Sequence, residues 1–193
     1  MIRASRTGQA GSGGSSRPPG GPTESMTANQ LFQAVAPELR GEIITYMQSE
    51  QRAAYRALIQ NLAAARKLRP VFVMEKNRTA QAEWLLAQLR LRQNDEVTVQ
   101  ILQIWLLKGQ AKMLVTFLDA VGINHNGEGE VEDLPEDVPQ DKAEAGIEAL
   151  LKDNPPARVA LYLHMFQKQK EDGFPGLTAA LAARPELQLA AES

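Results

Sequence analysis

Residues 97–107 read Val-Thr-Val-Gln-Ile-Leu-Gln-Ile-Trp-Leu-Leu. Eight of these eleven positions are apolar: Val97, Val99, Ile101, Leu102, Ile104, Trp105, Leu106 and Leu107. Wound at about 3.6 residues per turn, they cover nearly every face, which is the pattern of a helix enclosed on most sides. Thr98, Gln100 and Gln103 interrupt the run. It therefore falls short of the ~18 consecutive apolar residues of a membrane span. The stretch predicts a central helix, and the flanking sequence has to supply the helices that bury it.

The flanks supply them. Ala82, Leu85, Leu86 and Leu89 recur at i, i+3, i+4 and i+7, as do Leu114, Phe117, Leu118 and Val121. Val159, Tyr162, Leu163 and Phe166 repeat the spacing, and Tyr55, Leu58, Ile59 and Leu62 mark another face. Such spacing sets one apolar stripe along a helix. Expected helices cover residues 27–35, 38–67 with a break near Ser49, 79–91, 95–108, 110–121, 140–152, 156–170 and 175–184. Thr27, Thr79 and Asp95 are candidate N-caps. Gly122 and Gly173 suit the left-handed position after a helix, and Pro155-Pro156 suits the start of one. Pro70-Val71-Phe72-Val73-Met74 is β-branched and reads as an extended connector, or as a strand that pairs with a partner's edge.

Composition agrees with helix. The 193 residues are 44% hydrophobic and 5% aromatic, and Ala, Leu and Gln predominate. These side chains lose little rotamer freedom on a helix. Cys is absent, which excludes disulfides, thiol catalysis and Cys-bound zinc within the sequence. The fold class expected is all-α: a helical bundle or a short α-solenoid-like stack of about three helical units.

Residues 1–25 stand apart. They hold Gly11-Ser12-Gly13-Gly14-Ser15-Ser16 and Pro18-Pro19-Gly20-Gly21-Pro22 and show no apolar periodicity. A disordered tail is expected there, with a single all-α domain over 27–189. No secretory h-region is present, and translation from Met26 would remove the tail. With no span and no signal, a cytoplasmic protein is expected, with no membrane partner.

Residues 37–64 align without a gap on residues 156–183. Ile44 then falls on Leu163, Met47 on Phe166, Tyr55 on Phe174, Leu58 on Leu177 and Leu62 on Leu181. A middle copy fits with one extra residue, Val97 on Val159 and Leu114 on Leu177. Units at 27–78, 79–138 and 139–189 would follow; so would chance agreement between amphipathic helices. The tetratricopeptide and ankyrin signatures are absent.

The chemical inventory is small. Past the tail, the only serines are Ser49 and Ser193, and the only histidines are His125 and His164. Neither histidine has the serine neighbours of a nucleophilic triad, and no phosphate-binding glycine loop joins a strand to a helix. No catalytic residue and no cofactor are expected. Residues 124–132 resemble the first nine positions of an EF-hand calcium loop. On that resemblance Asn124, Asn126, Glu128 and Glu130 would offer oxygens, with Gly129 at the turn. The closing position, where such loops carry a bidentate Glu, is Pro135, so a solvated acidic connector is the competing reading.

Charge is segregated. Lys+Arg number 21 against 23 Asp+Glu, yet residues 52–112 hold 11 basic and 4 acidic side chains (net +7). Residues 113–153 hold 2 basic and 11 acidic ones (net −9). Arg66, Lys67, Arg69, Lys76, Arg78, Arg90 and Arg92 are the candidate partner contacts. The expected function is a non-enzymatic interaction or scaffold protein that presents these surfaces to another protein. Two alternatives remain: a nucleic-acid-associated protein that binds phosphates through residues 66–92, and a carboxylate- or metal-dependent enzyme. A third use of the charges is self-complementation, the acidic connector folding back on the basic patch or meeting a neighbouring subunit.

Overall fold

The computed structural model describes residues 26–190; the expected disordered tail and the alternative start at Met26 concern residues 1–25, which lie outside the described residues. The described residues form ten α-helices and no strand: α1 Ala28–Ala34, α2 Pro37–Ser49, α3 Arg52–Ala65, α4 Val71–Met74, α5 Arg78–Gln88, α6 Asp95–Ile104, α7 Ala111–Val121, α8 Gln140–Asp153, α9 Pro156–Gln167 and α10 Pro175–Ala182. The protein is all-α. Short 3-10 turns precede α6 and follow α10.

Helix ends follow local chemistry. Thr27 and Gln30 close a capping box on α1: the Thr27 hydroxyl accepts from Gln30 N–H, and Gln30 Oε1 accepts from Thr27 N–H at 2.8 Å. Pro37, Pro156 and Pro175 each occupy a first turn, where the missing N–H costs nothing. Gly122 ends α7 in the left-handed region at φ 76°. Two caps differ from expectation. Asn77, not Thr79, caps α5, its Oδ1 accepting from Ala80 N–H at 2.9 Å. Asp95 lies inside the first turn of α6 and accepts from Asn29 N–H at 2.8 Å, so it ties α1 to α6.

The helix expected over 95–108 is α-helical only to Ile104. Trp105–Gly109 then form a π-helical turn, and the chain bends 83° into α7. Thr98, Ile101, Leu102 and Trp105 are fully buried, whereas Gln100 and Gln103 reach solvent. α6 is central, with one exposed edge. The bend brings α7 against α8, and α8 packs in turn on α10. Gly146 of α8 permits the first contact: a Cβ there would sit 2.8 Å from the Phe117 ring.

Phe117, Tyr162, Phe166 and Phe174 form an edge-and-face aromatic cluster between α7, α9 and α10, with centroids 5.0–6.2 Å apart. One continuous hydrophobic cluster contains buried residues from all ten helices. The five aligned pairs, from Ile44 and Leu163 to Leu62 and Leu181, are all buried. Their helices are placed differently, however: α2 packs on α3, while the most extensive partner of α10 is α8.

No single helix among the described residues is long and apolar enough to cross a membrane.

Candidate interaction surface

The end of α3 sets up the basic corner. Arg66 caps the helix, and Lys67 follows in the left-handed region at φ 56°. Lys67 N–H donates to Ala64 O at 2.9 Å and Leu68 N–H to Ala63 O at 2.8 Å, which is the double bond pattern of a Schellman motif. The motif turns the chain outward into Arg69 and Pro70. There the expected extended connector is instead the one-turn helix α4. Pro70 fixes φ at −54°, and its carbonyl accepts from Val73 and Met74 N–H, both at 3.0 Å. The β-branched valines argue for extended chain, but the proline conformation and the buried Val73 anchor override them.

α4 touches α3 and α5. Val73 points inward, so Leu68, Val71 and Phe72 point outward, exposed by 43%, 46% and 60%. Gln81 holds the end of α4 by donating to Met74 O at 3.0 Å and Lys76 O at 2.8 Å. Gln48 of α2 donates to Tyr55 Oη at 3.0 Å and to Arg78 O at 2.9 Å, which fixes the start of α5. Burial raises the Tyr55 phenol above its usual range, and the Gln48 amide opposes this in part. The corner is therefore braced from three helices.

Arg66, Lys67, Arg69, Lys76 and Arg78 are all exposed around this apolar trio. Arg90 and Arg92, the other two expected contacts, are exposed as well but follow the far end of α5, about 16 Å along its axis. Five of the seven cations thus lie on the segment from the end of α3 through α4 to the start of α5. Among the described residues none of the seven forms an ion pair. Among the described residues, the one ion pair between the basic half and the acidic connector is Lys108–Glu128, at 3.8 Å.

The acidic connector is ordered by its own contacts. Asn126 Oδ1 accepts from Glu128 N–H at 2.8 Å and Glu130 N–H at 3.2 Å, and Asn126 Nδ2 donates to Glu130 Oε2 at 2.7 Å. His125 Nδ1 accepts from Gly127 N–H at 3.0 Å while its Nε2 lies 3.0 Å from Asp119 Oδ1, which selects the Nε2–H tautomer. Gly129 (φ 90°) presses on Leu114, so close that a Cβ would stand 2.7 Å from the leucine Cβ. Of the four oxygens expected to face calcium, the Asn126 carbonyl closes its own turn and Glu130 answers the Asn126 amide. Asn124 and Glu128 are exposed. Among the described residues no three His, Asp or Glu side chains are grouped to hold a metal ion.

Two concave features adjoin the connector. A groove of about 410 Å³ lies between Leu106, Leu107, Val131 and Met165, with Gln103, Glu130 and Gln169 also on its wall. A cleft of about 510 Å³ is lined by Ile123, Leu134 and Pro135, with Glu132 and Asp133 also on its wall. Elsewhere the reactive groups are engaged locally: Ser49 Oγ donates to Thr45 O at 2.8 Å, and His164 Nε2 meets Leu187 O at 3.2 Å.

Sequence reasoning named the cations but missed the apolar trio and the cleft. Leu68, Val71 and Phe72 do stand at i, i+3 and i+4, one helical face, which is the signal that was available. Compared with models of protein families, with curated proteins and with solved structures, the chain matches none.

Proposed function

We propose that this chain is a helical interaction protein that engages a protein partner through the α3–α4–α5 corner. The observation that carries the reading is Phe72, 60% exposed on a braced one-turn helix within a group of five exposed cations that have no ion-pair partners among the described residues. An aromatic anchor framed by arginines is the composition of an interface hot spot: the ring supplies desolvation, and the guanidinium groups supply orientation. The test places a photo-crosslinking phenylalanine analogue at position 72 in cells that express the chain. A discrete protein adduct, lost when the analogue is moved to exposed position 100, is the expected result; no protein adduct at position 72 overturns the reading.

The five cations also suit a phosphate backbone, and this is the second reading. Phosphate contacts do not require Leu68, Val71 and Phe72 to be exposed, which favours a protein partner. Filter binding at about 50 and about 200 mM salt separates the two, because phosphate contacts weaken steeply across that range.

A further inference from the structure

The corner and the cleft carry opposite charge, and neither is neutralised by the other among the described residues. Residues 66–78 hold five cations and one acid, Glu75, around Leu68, Val71 and Phe72. One wall of the cleft is Leu134 and Pro135 with Glu132 and Asp133 beside them, and the other is the polar stretch Asn124, His125 and Asn126 over the buried Ile123. Both acids are exposed, and neither has an ion-pair partner among the described residues. Nearby acids are already engaged: Glu128 faces Lys108, and Asp137 accepts from Gly176 N–H. Glu136, exposed and likewise without an ion-pair partner among the described residues, adds to the unpaired charge next to the cleft.

We infer that the occupant of this cleft is the Phe72 corner of a second copy of the same chain. This rests on the corner being an interaction surface, and it names the partner. The ring is presented by a projecting helical turn, and the cleft, at about 510 Å³, is several times the volume of a benzyl group. Seating Phe72 between Leu134 and Pro135 brings the flanking Arg69 and Lys76 towards Glu132 and Asp133. Hydrophobic burial and ion pairing then act at one place. Two different surfaces that complement each other make a head-to-tail contact, so an open assembly always keeps one corner and one cleft free at its ends, and it grows into a ring where the rotation closes and into a filament where it does not. The cationic corner also fits an acidic segment of another protein, and the experiment separates that case.

Sedimentation velocity of the full chain tests the inference directly. Association that rises with concentration at about 50 mM salt, and falls at least tenfold at about 500 mM, is expected. Phe72→Ser removes the anchor, and Glu132→Gln with Asp133→Asn neutralises the cleft wall; all three positions are exposed, so folding is retained. Each variant alone sediments as a monomer. Mixed, they form a one-to-one dimer that grows no further, since one retains the cleft and the other the corner. A wild-type chain that stays monomeric across the concentration series, or variants that fail to pair when mixed, overturns the inference. If that happens while position 72 still crosslinks to a different protein in cells, the interaction reading stands and the self-association falls; with no protein adduct either, both fall.

Discussion

Gly176 in the first turn of α10 lies directly against the carbonyl of Val138. A Cβ at Gly176 would collide with that oxygen and stand 2.8 Å from Gln140 N. Both obstacles are backbone, so neither can swing aside. The same N–H that leaves the glycine donates to the Asp137 carboxylate at 3.1 Å, and Lys170 donates to Glu136 O. The acidic connector is thus docked onto α10 by backbone contact. Gly176→Ala is expected to cost about 2–3 kcal/mol, the scale of overpacking a rigid site. Urea unfolding checks this; a loss below about 0.5 kcal/mol would mean the connector can lift away without penalty.

A second joint is polar. Asn29 of α1 donates from Nδ2 to Leu91 O at 2.8 Å and accepts from the Thr98 hydroxyl of α6. Asn29 and Thr98 are both buried, at 5% and 0% exposure. Replacing Asn29 with Leu removes both bonds, although the Leu91 carbonyl still accepts from Asn94 N–H at 2.9 Å and the Thr98 hydroxyl can still donate to Asn94 O at 3.3 Å. A hydrogen bond contributes about 0.5–1.5 kcal/mol net, so Asn29→Leu, which removes two, is expected to destabilise by about 1–3 kcal/mol despite its added apolar surface. The double variant Asn29→Leu, Thr98→Val should recover part of that loss, because it also removes a buried hydroxyl left with only the long bond to Asn94 O. Chemical denaturation of the three variants reads both numbers.

The helices were legible because their signals are local. Pro37, Pro156 and Gly122 act on their own backbone, and the stripes on α7 and α9 repeat at a fixed period. What stayed hidden depends on neighbours. The π turn at Trp105 keeps an apolar sequence unbroken, so no change of composition marks the change of hydrogen-bond register. The choice of Asn77 over Thr79 as cap is made by where α4 ends, and α4 itself runs against β-branched propensity. Cations can be counted in a sequence. That Phe72 faces out while Val73 faces in requires knowing that α3 and α5 meet beneath it.

His164 gives the fold a pH dependence. Burial lowers its pKa below the ordinary value of 6.5, and the hydrogen bond to the Leu187 carbonyl opposes this in part. A histidine whose folded pKa lies below its unfolded one binds fewer protons when folded. Its contribution is therefore fully present above about pH 6.5 and is lost as the pH falls from there through the folded pKa. The urea midpoint of the wild type should drop between about pH 7 and about pH 5 more than that of His164→Gln. Equal drops in the two proteins would place the dependence on other groups.

Lys67 offers the opposite kind of change, a stabilising one. It occupies the C′ position of the α3 Schellman motif at φ 56°, where a side chain with Cβ is strained and glycine is not. Lys67→Gly relieves that strain, and the gain is partly offset by the greater freedom of glycine in the unfolded chain. The net expectation is about 0.5–1 kcal/mol of added stability, a rise of roughly 1–4 °C in Tm for a chain of this size. Because the exposed lysine makes no ion pair among the described residues, no contact is lost in exchange. The substitution also lowers the cationic count of the corner by one while leaving Phe72 in place. Under head-to-tail association, the more stable variant should therefore associate more weakly than wild type at about 50 mM salt and match it at about 500 mM. Thermal melting and sedimentation of one preparation read the two effects separately, and a fall in Tm would show that Lys67 is held by something other than the turn it occupies.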